Sequence, residues 1–100
     1  MTVIYEWDVE TITSVESEQY EKGEVIDHTH CATFKEAKDY STTDPGEGLA
    51  HQIVLVRDDD VGRSWAYLED DGMMPFYFYD ANGARTVKVP ERFKLEVQRG

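Results

Sequence analysis

Residues 2–15 alternate apolar and polar at a period of two, a rhythm that a helix cannot gather on one face. Val3, Tyr5, Trp7, Val9 and Val15 fall on one side, with Thr11 and Thr13 among them. Ile4, Glu6, Asp8, Glu10, Ile12 and Ser14 fall on the other. The pattern predicts a long half-buried strand, aromatic and aliphatic inward, acidic outward. Such a strand is not stable alone, so the rest of the 100-residue chain must complete a sheet around it.

The following segments read as that sheet. Residues 16–23 are polar and end in the turn Lys22-Gly23, and residues 24–29 carry Val25 and Ile26 as a second strand. Thr33 to Glu36 fits a capping box that opens a short helix over residues 33–41, with Phe34 and Ala37 on its apolar face. Its stripe is too short for it to stand free, so it must dock on the sheet. Residues 51–57 contain Ile53-Val54-Leu55-Val56, an uninterrupted apolar run expected of a strand covered on both faces. Residues 63–69, 76–79 and 86–89 read as three further strands. The last two are joined by Asp80-Ala81-Asn82-Gly83, where Asn-Gly supplies positive φ. Residues 91–97 suit either a helix or a strand, because Phe93, Leu95 and Val97 alternate while Arg92-Phe93-Lys94 fits a helical turn. The expected fold is α+β: one domain over residues 1–100, with an antiparallel twisted sheet of five to six strands and one short helix, in the order β-β-α-β-β-β-β. The expected core is Val3, Tyr5, Trp7, Val9, Phe34, Val54, Val56, Trp65 and Tyr67.

Charge narrows the function. The formal net charge is −11. Residues 1–50 hold twelve acids and three bases, giving −9; residues 51–100 hold nine acids and seven bases, giving −2. A surface of that sign argues against direct nucleic-acid binding and against anionic membranes. A basic protein partner is its complement, whereas on the plainer view acidity serves solubility alone. The N-terminus has neither the basic nor the apolar region of a signal peptide, and Cys31 is the only cysteine, so a cytoplasmic location is expected.

Sites of chemistry are sparse. Asp27-His28-Thr29-His30-Cys31 is the one metal-like cluster. On a strand His28 and His30 share a face and Cys31 takes the other. No C-x-x-C or H-E-x-x-H accompanies them, and two surface histidines beside a small apolar thiol are the expectation. Asp80 to Glu91 has the length of a calcium loop, but its second half reads as strand and a hairpin turn is the simpler account. Cys31 lies too near His28 and His30 in sequence to form a fold-built dyad, and Ser64 lacks a Gly-x-Ser-x-Gly setting. Neither enzymatic activity nor a cofactor or metal is expected.

Two features point to binding. Glu6, Asp8 and Glu10 form a row of carboxylates at steps of about 6.5–7 Å, all three expected to face water, and able to imitate phosphate charge in a basic groove. Met73-Met74-Pro75-Phe76-Tyr77-Phe78-Tyr79 puts aromatics on both faces of one strand; if one face is core, Tyr77 and Tyr79 are left as anchors. The alternative for this segment is a central core strand. The expected partner-binding residues are therefore Glu6, Asp8, Glu10, Tyr77 and Tyr79. The expected function is a small acidic protein-binding module, an inhibitor or nucleic-acid-mimicking decoy of a basic nucleic-acid-handling partner. The alternative is an accessory domain that forms homodimers through its aromatic strand, with incidental acidity.

Several strings carry a family likeness. They are Tyr5-Glu6-Trp7-Asp8, Asp27-His28, Ile53 to Asp58, Arg63 to Gly72, and Lys88 to Phe93. Together they resemble small uncharacterised acidic proteins of bacteria, prophages and plasmids, over most of the chain. The resemblance implies a mobile-element setting, in which small acidic proteins often block nucleic-acid enzymes. It brings no functional motif that transfers to particular residues.

Overall fold

The computed structural model describes residues 2–100. Strand β1 (Ile4–Thr13) is followed by β2 (Val25–Cys31), helix α1 (Phe34–Ser41), β3 (Leu49–Asp58), β4 (Arg63–Tyr67), β5 (Tyr77–Tyr79), β6 (Arg85–Lys88) and helix α2 (Glu91–Arg99). The strands form a single sheet in the order β2-β1-β3-β4-β5-β6, and every neighbouring pair is antiparallel. The α+β antiparallel architecture expected from the sequence is present, with two helices instead of one.

The second helix settles the ambiguity at the C-terminal end. Residues 91–99 follow Pro90, whose fixed φ suits the entry to a helix. Phe93 and Val97, four apart, turn inward together, and Leu95 is left 41% exposed. The alternation of Phe93, Leu95 and Val97 is thus incidental to a helical stripe. The two helices brace each other: Glu96 Oε2 accepts the Phe34 amide at 2.7 Å, and Lys38 Nζ donates to the Gly100 carbonyl at 2.7 Å. The threonine half of the capping box of α1 forms, and the glutamate reaches one residue past the cap. Thr33 Oγ1 accepts the Glu36 amide at 3.2 Å, while the Glu36 carboxylate reaches back to the Ala32 amide at 2.9 Å.

Both helices cover the same side of the sheet. Trp7 lies between them, its ring centroid 5.2 Å from Phe34 and 6.1 Å from Phe93, and Tyr5 sits 4.8 Å from Phe93. Register carries this layer across the sheet: Trp7 pairs with Leu55, Val9 with Ile53, and Leu55 with Ala66. Phe78, fully buried, continues it in β5.

That register divides the expected core between the two faces of the sheet. Trp7, Val9 and Phe34 are in the helix-side cluster, with Tyr5 partly buried against it. Val54, Val56, Trp65 and Tyr67 lie on the opposite face, because Val54 pairs with Asp8 and Tyr67, and Val56 with Glu6 and Trp65. The helix-side core residues of β3 and β4 are Ile53, Leu55 and Ala66, while Val54 and Val56 are buried as expected but on the other face. A one-residue shift in phase moves every side chain of a strand to the other face, and an all-apolar run gives no phase of its own.

Turns are fixed by carboxylates. Asp59 Oδ1 accepts the amides of Val61 and Gly62 at 2.9 and 3.0 Å, and Arg57 pairs with the same side chain. At the β5–β6 turn Asp80 Oδ1 accepts the amides of Asn82 and Ala84, both at 2.9 Å. Only Gly83 there has positive φ, at 78°, so the turn is the three-residue kind closed by a left-handed glycine, not a two-residue Asn-Gly turn. Among the described residues no helix is long and apolar enough to cross a membrane.

Candidate partner-binding face

The side of the sheet away from the helices gathers every expected partner-binding residue. Alternation in β1 sends Glu6, Asp8 and Glu10 there while Tyr5, Trp7 and Val9 face the core. Cross-strand pairing then builds rows. One runs Glu6, Val56, Trp65, Tyr79; the next runs His30, Asp8, Val54, Tyr67; a third joins His28, Glu10 and Gln52. Tyr77 shares the face with Tyr79, two residues away on β5. Three strand spacings separate the acidic stripe from these tyrosines, about 14 Å. The face therefore has acids on β1 bordered by the histidines of β2 at one end, and an aromatic end on β4 and β5.

Val54 is fully buried and Val56 only 6% exposed, although neither belongs to the core cluster. Their shielding comes from the larger side chains beside them in each row. The apolar run in β3 is thus covered on both faces, by helices on one and by neighbouring aromatic and acidic side chains on the other.

The three carboxylates differ. Asp8 is 8% exposed, which corrects the expectation that the whole stripe faces water. Flanked by Val54 and His30, it is sheltered by its row, and its Oδ1 meets His30 Nδ1 at 2.7 Å. Glu6 Oε1 lies 3.2 Å from the same nitrogen. The hydrogen bond and charge of Asp8, joined by the charge of Glu6, hold the His30 imidazole above its usual pKa despite opposing desolvation. Glu10 is half-buried: its carboxylate accepts from Gln52 Nε2 at 2.7 Å and from the Tyr67 hydroxyl at 3.3 Å. Burial, with Glu10 adding to it, pushes the Tyr67 phenol up to about 12.

At the aromatic end Tyr79 is 41% exposed, whereas the half-buried Tyr77 ring is covered by the Arg85 guanidinium at 4.5 Å. Tyr79 and Tyr67 are the open rings. The sequence did not single out Trp65, Tyr67 or Gln52, since their membership of this face depends on the phase of β3 and β4. His28 and His30 share the face as expected, with ring centroids 5.2 Å apart. Cys31 turns the other way, packs against the core, and has its thiol pKa raised by burial. It is not poised as a nucleophile. The Asp80 carboxylate is committed to its turn amides.

Comparison with protein-family models, with curated proteins and with solved structures finds no match.

Proposed function

We propose that this chain is a small acidic protein-binding module that docks a basic partner on the helix-free face of its sheet. The observation carrying this reading is the shared face: Glu6 and Glu10 on β1, Trp65 and Tyr79 on β4 and β5, and Tyr67 reaching between them to Glu10, all on one surface of the sheet. Charge steers a basic partner to the acidic end, and exposed tyrosines anchor it once it arrives. A nucleic-acid-handling protein, with its groove of lysines and arginines, is the natural class, and occupying that groove makes the chain an inhibitor or decoy. Because Asp8 is buried, the outward charges of the stripe are Glu6 and Glu10, about 13 Å apart along the strand.

The resemblance to small acidic proteins of prophages and plasmids agrees with this reading, and binding rather than catalysis is the role inferred. Self-association through the aromatic strand has narrower support. β5 lies between β4 and β6, so only its face is free to pair with a second copy.

The test is differential capture. Wild-type chain and a Glu6→Gln, Glu10→Gln, Tyr79→Ala variant serve as baits in lysate of the source organism at low salt. The reading expects a basic protein held by the wild type, released as the Debye length falls below about 8 Å, and missing from the variant. Equal capture by both baits would show that this face is not the docking surface.

A further inference from the structure

The geometry points to a transition-metal site on this face, in which Glu6, Asp8 and His30 bind one zinc-class divalent ion. The three ligand atoms come from two paired strands: Asp8 lies directly opposite His30, and Glu6 is two residues along β1 on the same face. Asp8 Oδ1 and Glu6 Oε1 converge on the one nitrogen His30 Nδ1 at 2.7 and 3.2 Å, and one donor atom from each residue lies within 4.8 Å of the others.

Two things separate this group from a solvated acidic patch. First, it contains an imidazole nitrogen, the donor that selects zinc, copper or nickel over calcium and magnesium. Second, Asp8 is a carboxylate nine-tenths buried whose one hydrogen-bond partner among the described residues is His30, and His30 is shared with Glu6. Two carboxylates thus lean on a single imidazole. The nearby Arg63 guanidinium is paired with Asp58 at 3.1 Å. A divalent ion placed between them meets both carboxylates at once, which a single imidazole nitrogen cannot do.

The two distances to His30 set the movement needed on that side of the site. Ligand bonds of about 2.0–2.2 Å place tetrahedral donors about 3.3–3.6 Å apart, so Asp8 and His30, now 2.7 Å apart, must separate by about 0.6–0.9 Å, and Glu6 and His30, 3.2 Å apart, by less. Binding displaces the Nδ1 proton that faces the two carboxylates to solvent, and the metal takes its place between nitrogen and carboxylates. Three protein ligands leave a fourth position on the open side of the sheet. Water fills it, or His28, whose ring centroid is 5.2 Å from that of His30. The sequence alone does not reveal the site, because His28-x-His30 lacks its carboxylates until β1 and β2 pair.

The test uses the purified chain without an affinity tag and is independent of whether the face docks a partner. Zinc chloride is titrated into it by calorimetry, with the histidine ring nitrogens followed by NMR. The expected result is one zinc per chain, a shift of His30 Nδ1, and no comparable binding of magnesium. His30→Ala, at an exposed position, and Glu6→Gln, a near-isosteric change at a half-buried one, should keep the wild-type circular dichroism spectrum. Each should weaken zinc by about 100-fold, the upper end of what loss of even an outer hydrogen-bonding partner costs a metal site. Sub-stoichiometric zinc, equal binding of magnesium, or a zinc affinity indifferent to both substitutions would overturn the proposal.

Discussion

Phe78 and Tyr79 are adjacent in one short strand yet should respond very differently to truncation. Phe78 is fully buried in the core, with its ring centroid 6.1 Å from that of Tyr5. Phe78→Ala removes a whole buried ring and leaves a cavity, which costs about 3–5 kcal/mol. Tyr79 is 41% exposed on the other face, and its main neighbour is Trp65 across the strand pair. Losing a cross-strand contact of that kind costs about 0.2–1 kcal/mol. For a domain of this size each kcal/mol moves Tm by about 4–8 °C. Phe78→Ala should therefore lower Tm by at least about 12 °C, and Tyr79→Ala by no more than about 8 °C. Thermal melts followed by circular dichroism read this directly. Should Phe78→Ala fail to fold, Phe78→Leu, at about half the cost, preserves the comparison. Equal losses at the two positions would mean that Tyr79 is also covered, and the argument for an open aromatic face would fail.

Three further outcomes follow from named contacts. Glu96→Ala removes the side chain that accepts the first amide of α1 and should destabilise the fold by about 1 kcal/mol, measured by urea unfolding; no change would mean the two helices do not brace each other. Asp59 has its carboxyl held below the usual range by the amides of Gly62 and Val61 and by Arg57. A depressed folded pKa gives stability that is present above the unfolded value of about 3.9 and is lost as pH falls through the folded one. Asp59→Asn should thus flatten the fall of Tm on acidification through and below pH 4, and an unchanged acid limb would contradict the turn geometry. In alkaline ultraviolet titration one tyrosine should ionise only near pH 12, disappear in Tyr67→Phe, and move down in Glu10→Gln; ionisation of every tyrosine near 10 would refute the Tyr67–Glu10 contact.

What was legible in the sequence was local. The alternation of Trp7 and Val9 with Glu6, Asp8 and Glu10 identified β1 and its two faces, and Thr33 with Glu36 marked the start of α1. What was not legible was phase. Ile53 to Val56 are all apolar and all buried, so nothing within the run says which two meet the helices; pairing with β1 decides it, and that decision carries Trp65 and Tyr67 to the open face. Asp8 shows the same limit at a single residue. Its outward direction could be read, but its burial depends on Val54 and on His30, 22 residues away. The helix at residues 91–99 was obscured because Leu95 happens to complete a period-two pattern from the solvent side.

The chain's two tryptophans offer the most direct test of the docking face, since each reports one side of the sheet. Trp7 is 3% exposed between the helices, and Trp65 lies in the row with Glu6 and Tyr79. When the basic protein captured by the wild-type chain is titrated into isotope-labelled chain, the indole resonance of Trp65 should shift in proportion to occupancy while that of Trp7 stays in place. A saturated complex in which Trp65 is unmoved, or in which only Trp7 responds, would place the partner elsewhere and contradict the account.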